Sequence, residues 1–223
     1  MTCFRRSLGA LALLSLTSPA LASFHLMQIE LAVGGVGNDA TQQAVQLRMR
    51  AGGQNQVTGT QIIAYDASGA NPVTLVQFPS AVSNSSGGSR ILIASAKMVS
   101  EQGVAPDATM TALIPAGYLP AGRLTFQNGS TLYWSLCWGG AGYTGSTTGS
   151  MTNDTDGEFG PCFAGPLPSA TDVTLRFPGA SSAQSTNNAA DYALSASPGS
   201  LISNAGSTFG LSDDRIFRHG FED

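Results

Sequence analysis

The stretch QQAVQLRMR (Gln42–Arg50) alternates cleanly, with Val45, Leu47 and Met49 on one side and Gln46, Arg48 and Arg50 on the other. Successive side chains of a strand point to opposite faces, so this period of two predicts a strand with an apolar face on a core and a polar face in water. Upstream, Phe24–Val33 carries His25, Met27, Ile29, Leu31 and Val33 at odd positions, expected on one face, with Gln28 and Glu30 on the other. Downstream, Thr60–Tyr65 and Val73–Phe78 are β-branched or aromatic runs separated by the turn-like DASGANP, Asp66–Pro72. Arg90–Ala96 (RILIASA) opens as a continuous apolar run that suits a central strand, and Thr131–Trp138 alternates with Leu132, Trp134, Leu136 and Trp138 on one face. Thr171–Phe177 reads as another strand, and Tyr192–Leu194, Leu201–Asn204 and Thr208–Leu211 as short closing ones. Helix is confined to Ala96–Gln102, ahead of Gly103 and Pro106. Short strands, frequent turns and no βαβ rhythm predict an all-β fold, a β-sandwich with one short helix, a closed barrel being the alternative.

Outward from these strands, the ends differ in character. Arg5 and Arg6 precede the apolar run LGALALLSL (Leu8–Leu16), and Ala20-Leu21-Ala22 supplies a small-x-small cleavage pattern. Residues 1–22 are therefore expected to be a signal peptide cut after Ala22, because the apolar run is far shorter than the ~20 residues a membrane helix needs. The expected organisation is a β-sandwich domain over 23–211 and a C-terminal tail over 212–223. Loss of 1–22 leaves 201 residues with 8 basic and 14 acidic side chains, a net charge of −6. With a single lysine, Lys97, that balance argues against a nucleic-acid partner. No other segment is long and apolar enough to be integral to a membrane, so the place of action is expected to be secreted, periplasmic or at the cell surface.

Cys3 leaves with the signal, and Cys137 and Cys162 remain. Two cysteines in an oxidising compartment are expected to form one disulfide; a zinc pair is the poorer reading without a neighbouring histidine. That bond would tie down the long polar, glycine-rich stretch from Gly139 to Ala170. Gly179–Asn188 is low in complexity and is expected to be a flexible surface connection.

Catalytic inventory is thin. The mature chain holds only His25 and His219, one near each end, and no hydrolase, metalloprotease or phosphate-loop motif. Val33-Gly34-Gly35-Val36-Gly37 follows a strand but precedes no helix pattern, so it reads as a turn. Asp154, Asp156 and Glu158 place hard oxygen donors at alternate positions around Gly157, which suits a weak calcium site of about 10⁻⁴ to 10⁻³ M or simply a solvated acidic turn. Phe163 stands where an EF-hand would need its bidentate glutamate. The same acids would serve a glycosidase-like hydrolase, though the aromatic sugar platform beside them is sparse. Trp134, Trp138 and Tyr143 could line a binding face, but tryptophans at i and i+4 of one strand face are more often core.

Several stretches together resemble the lamin-tail family, an immunoglobulin-like sandwich. HLMQIELAV (His25–Val33) is similar to that family's first strand, with Glu30 near its acidic position, and AVQLRMR matches its apolar-x-glutamate-leucine strand except that Gln46 replaces the glutamate. TGTQIIAYDASG, RILIAS and the short helix follow in the family's order, so the resemblance covers about residues 24–138. It implies an immunoglobulin-like fold, no catalytic residues and an accessory role on exported proteins. The ending Ile216-Phe217-Arg218-His219-Gly220-Phe221-Glu222 is similar to a short I-F-x-x-G-F-E tail on exported proteins of some Gram-negative bacteria. It implies an address, whereas its apolar side chains alone would equally fit a last edge strand. The expectation is a non-enzymatic interaction module with no resident cofactor, its partner an extracellular or envelope protein or a glycan.

Overall fold

A computed structural model describes residues 24–149, 157–180 and 186–213. The elements, in order, are β1 (Met27–Val33), β2 (Ala44–Met49), β3 (Gln61–Tyr65), β4 (Val73–Gln77), β5 (Arg90–Ala94), α1 (Ala96–Gln102) and β6 (Ala108–Thr109). Then follow β7 (Gly122–Asn128), β8 (Thr131–Trp138), β9 (Leu175–Arg176), the single turn α2 (Asn188–Asp191), β10 (Ala193–Leu194), β11 (Ser200–Ile202) and β12 (Thr208–Gly210). One sheet has the order β10-β9-β1-β2-β5-β6, a second β4-β3-β7-β8, and β11 and β12 form a separate hairpin. The two larger sheets face each other as a sandwich. Met27, Ile29, Val45, Leu47, Ile91 and Ile93 of the first meet Ile62, Leu75, Leu124, Phe126, Trp134 and Trp138 of the second. The barrel alternative is set aside, because neither sheet closes on itself.

Buried hydrogen bonds cross this core. Trp134 Nε1 donates to Tyr192 Oη at 2.8 Å, and that hydroxyl donates to the carbonyl of Ile29 at 2.6 Å, so no polar atom of the relay is orphaned. Burial drives the Tyr192 phenol well above its usual range. Trp138 Nε1 reaches the carbonyl of Tyr118 at 2.9 Å. Trp134 and Trp138 are core, as their spacing indicated.

Three expectations about faces are corrected. Gln46 and Arg48 do not point to water: every residue of β2 is buried. The reason is a third layer, in which α1 and the β11–β12 hairpin cover the outer face of the six-stranded sheet through Met98, Val104, Leu201 and Leu211. Nor do the odd positions of β1 share one side. Ile29 pairs with Leu47 but Leu31 pairs with Gln46, so Glu30 is an extra residue, a β-bulge. An extra residue inverts the alternation, which sends Ala32 to the sandwich core and Leu31 and Val33 to the outer cluster. In β8, Phe126 pairs with Trp134 and Gln127 with Leu132, leaving Tyr133 as the extra residue. Tyr133 joins the core and Leu132 does not.

Other elements are close to expectation. Ser95 caps α1 by accepting from Met98 N, and Gly103 ends it at φ 63°, a left-handed conformation that glycine adopts without Cβ strain. Of Thr171–Phe177 only Leu175–Arg176 is strand. The Gly179–Asn188 connection is not all surface, because Asn188 is fully buried and its side-chain oxygen accepts from Cys137 N at 2.8 Å. Residues 181–185 within it, the expected signal peptide and tail residues 214–223 lie outside the described residues. Among the described residues no helix is long and apolar enough to cross a membrane.

Candidate functional site

The bulge at Glu30 creates the most unusual chemistry of the outer face. Strand register sets Gln28 of β1, Arg48 of β2 and Arg90 of β5 in one row, and the extra residue turns Glu30 toward it. Glu30 is 1 % exposed and its carboxylate accepts from four nitrogens. Arg90 approaches through Nε and Nη2, each at 3.0 Å, as a bidentate fork. Arg48 Nη1 lies at 3.1 Å and Gln46 Nε2 at 2.8 Å. Arg48 is further held by Gln28 Oε1 at 2.9 Å and by the carbonyl of Gly179. Burial lowers the Arg48 guanidinium from its usual value, and the charge of Glu30 works against that shift. Two guanidinium groups thus share one carboxylate, so the cluster is net positive.

Beside Arg90 an open cleft of about 350 Å³ runs between residues 84–90 and the turn of the β11–β12 hairpin. Its walls are clasped by two asparagines. Asn84 N donates to Asn204 Oδ1 at 2.8 Å, and Asn204 Nδ2 donates to the carbonyls of Asn84 and Arg90 at 3.2 and 2.9 Å. Behind the clasp, Asp107 Oδ2 accepts from the backbone N–H of Leu92 and of Asn204, at 2.7 and 2.8 Å.

Desolvation raises the Asp107 carboxyl above the ordinary carboxylate range, the two backbone donors pulling the other way. A raised folded-state value means the native state holds its proton longer than the unfolded chain. Asp107 therefore favours the fold most below about pH 4, and this contribution is lost as pH rises from there through the folded value. Asp107→Asn keeps an acceptor for both N–H groups but has no charge to desolvate. The stability of wild type relative to Asp107→Asn is expected to fall as pH rises above about 4 in urea titrations; a pH-independent difference would contradict the assignment.

Among the described residues, those singled out from sequence do not gather in one place. Cys137 and Cys162 are bonded, with Cα atoms 4.9 Å apart, and Tyr143 and Phe159 pack on the bridge. This pins part of the long Gly139–Ala170 stretch onto the end of β8. Asp154 and Asp156 lie outside the described residues, and Glu158 is exposed and forms an antiparallel β-bridge with Thr148. His25 is exposed against Phe24 and Tyr133, and His219 lies outside the described residues. Among the described residues no three His, Cys, Asp or Glu side chains come together as a metal-holding group. A shallow apolar groove of about 210 Å³, lined by Phe163, Leu167, Val173 and Leu194, lies near the β10 edge. Sequence reasoning noted Glu30 but missed Arg48, Arg90, Asn84 and Asn204 as a group. No local pattern could have found them, since Asn204 reaches the cleft from 114 positions beyond Arg90.

No family model, curated protein or solved structure matches the chain.

Proposed function

We propose that the chain is exported with residues 1–22 removed, and that the mature protein is a non-enzymatic, lamin-tail-like interaction module that is secreted, periplasmic or on the cell surface. The observation that carries this reading is the Cys137–Cys162 disulfide in a β-sandwich, since such bonds persist in oxidising compartments. Two further features support it. HLMQIELAV and AVQLRMR form adjacent antiparallel strands, with the acidic Glu30 at their centre. The polar groups around the open cleft are held by the fold in fixed hydrogen bonds, which suits recognition more than proton transfer.

Export predicts a mature N-terminus at Ser23 by intact mass of protein recovered from the periplasm or medium. A chain that still begins at Met1 would refute it. Purified protein is expected to leave glycan, ester and peptide substrates unchanged. Turnover abolished by Asp154→Asn or Asp156→Asn would establish instead a hydrolase with its acids in the Gly139–Ala170 loop.

A further inference from the structure

We propose that the cleft beside Arg90 binds the carboxylate of an acidic sugar; this rests on the interaction-module reading and names its ligand class. Among the described residues Arg48 and Arg90 are both ion-paired to Glu30 alone, so two positive charges in the cluster share one carboxylate. A half-buried excess charge favours an incoming counter-ion, all the more in a chain whose overall charge is negative.

The geometry says where that anion goes. Arg90 spends Nε and Nη2 on Glu30, and among the described residues its Nη1 has no hydrogen-bond partner. The side chain is 29 % exposed and lines the cleft, so its remaining donors reach solvent there. Glu30 locks the guanidinium plane and the Asn84–Asn204 clasp locks the walls, so little ordering is needed on binding.

The lining says what accompanies the charge. Ser89 and Ser203 border the cleft, and among the described residues neither hydroxyl is used by the fold. Gly88 and Gly206 form its rim, where an added Cβ would meet nothing within 4 Å, leaving room for a flat polar ring. Apart from Ile202 the lining is polar or glycine, which disfavours an apolar peptide side chain. Of the acids around it, Glu30 is occupied by the two arginines, and Asp107 Oδ2 is engaged by the backbone N–H groups of Leu92 and Asn204.

The test is titration calorimetry of the mature protein with a trigalacturonate, its methyl ester and acetate. The free acid is expected to bind at least tenfold more tightly than the ester, which keeps the rings and loses the charge, and at least tenfold more tightly than acetate, which keeps the charge and loses the rings. Ser89→Glu places a like charge on the rim without touching the Glu30 pairs. It is expected to weaken trigalacturonate at least tenfold while leaving the melting temperature unchanged, and Arg90→Gln to weaken it similarly if that variant folds. Equal binding of acid and ester, equal binding of acid and acetate, or indifference to Ser89→Glu would each overturn the proposal. Binding of another partner with none of these effects would overturn this assignment and leave the module reading standing, whereas hydrolysis of the trisaccharide would overturn the module reading itself.

Discussion

Glu30→Ala is expected to destabilise the protein by about 3–5 kcal/mol, the range for removing one partner of a buried ion pair. The charge of Glu30 is what makes a buried Arg48 tolerable, and without it two guanidinium groups face each other across β2 and β5 with no counter-charge among the described residues. The Arg90 half of the cluster is partly exposed, so water screens some of that repulsion and the lower part of the range is the firmer expectation. Glu30→Gln should cost less, because an amide still accepts from Gln46 and one arginine. Replacing Glu30, Arg48 and Arg90 together by apolar residues of similar volume should come close to neutral, since the desolvation penalty disappears with the charges. Urea denaturation of the three variants checks the order. A loss below about 1 kcal/mol for Glu30→Ala would place the cluster in the class of solvent-screened surface pairs.

The double substitution Cys137→Ser and Cys162→Ser is expected to cost about 3.5 kcal/mol, the chain-entropy value for a loop of this size. The loss should be felt first in the segment the bridge holds. Phe159 is fully buried against Cys137, Tyr143 and Cys162, and its N–H donates to the carbonyl of Thr147 at 2.9 Å. Hydrogen exchange at Phe159 and Phe163 should therefore accelerate more than at Leu47 or Ile62 in the sandwich core. Denaturation with and without reductant checks the magnitude in the unmodified protein. Identical stability in both conditions would show that the fold does not depend on the bridge.

How far the structure could be read in advance varied with how local its cause was. Gln61–Tyr65, Val73–Gln77, Arg90–Ala94 and the capped helix Ala96–Gln102 follow from neighbouring residues, and each lies where periodicity and turn chemistry placed it. GRLTFQN (β7) escaped that reading although Leu124 and Phe126 alternate. Its other face is Arg123, Thr125 and Gln127, which are buried by contacts such as the Arg123 guanidinium over the Tyr65 ring at 4.5 Å. Two apolar residues among polar ones are too weak a local signal, yet β7 is the strand that joins β3 to β8.

By itself the sequence determined the fold class, most strand positions, the cysteine pair and the two tryptophans of the core. Each depends on alternation, turn residues or simple inventory, all of which act within a few positions. Only the tertiary structure decided which faces are buried and what the polar residues do. The bulge at Glu30 inverts the second half of β1, and the outer layer of α1, β11 and β12 takes Gln46 and Arg48 out of water. The same layer brings Asn204 against Asn84 and Arg90. A strand's pattern reports that it has two faces; what covers each face depends on segments far away in the chain, and local sequence carries no record of that meeting.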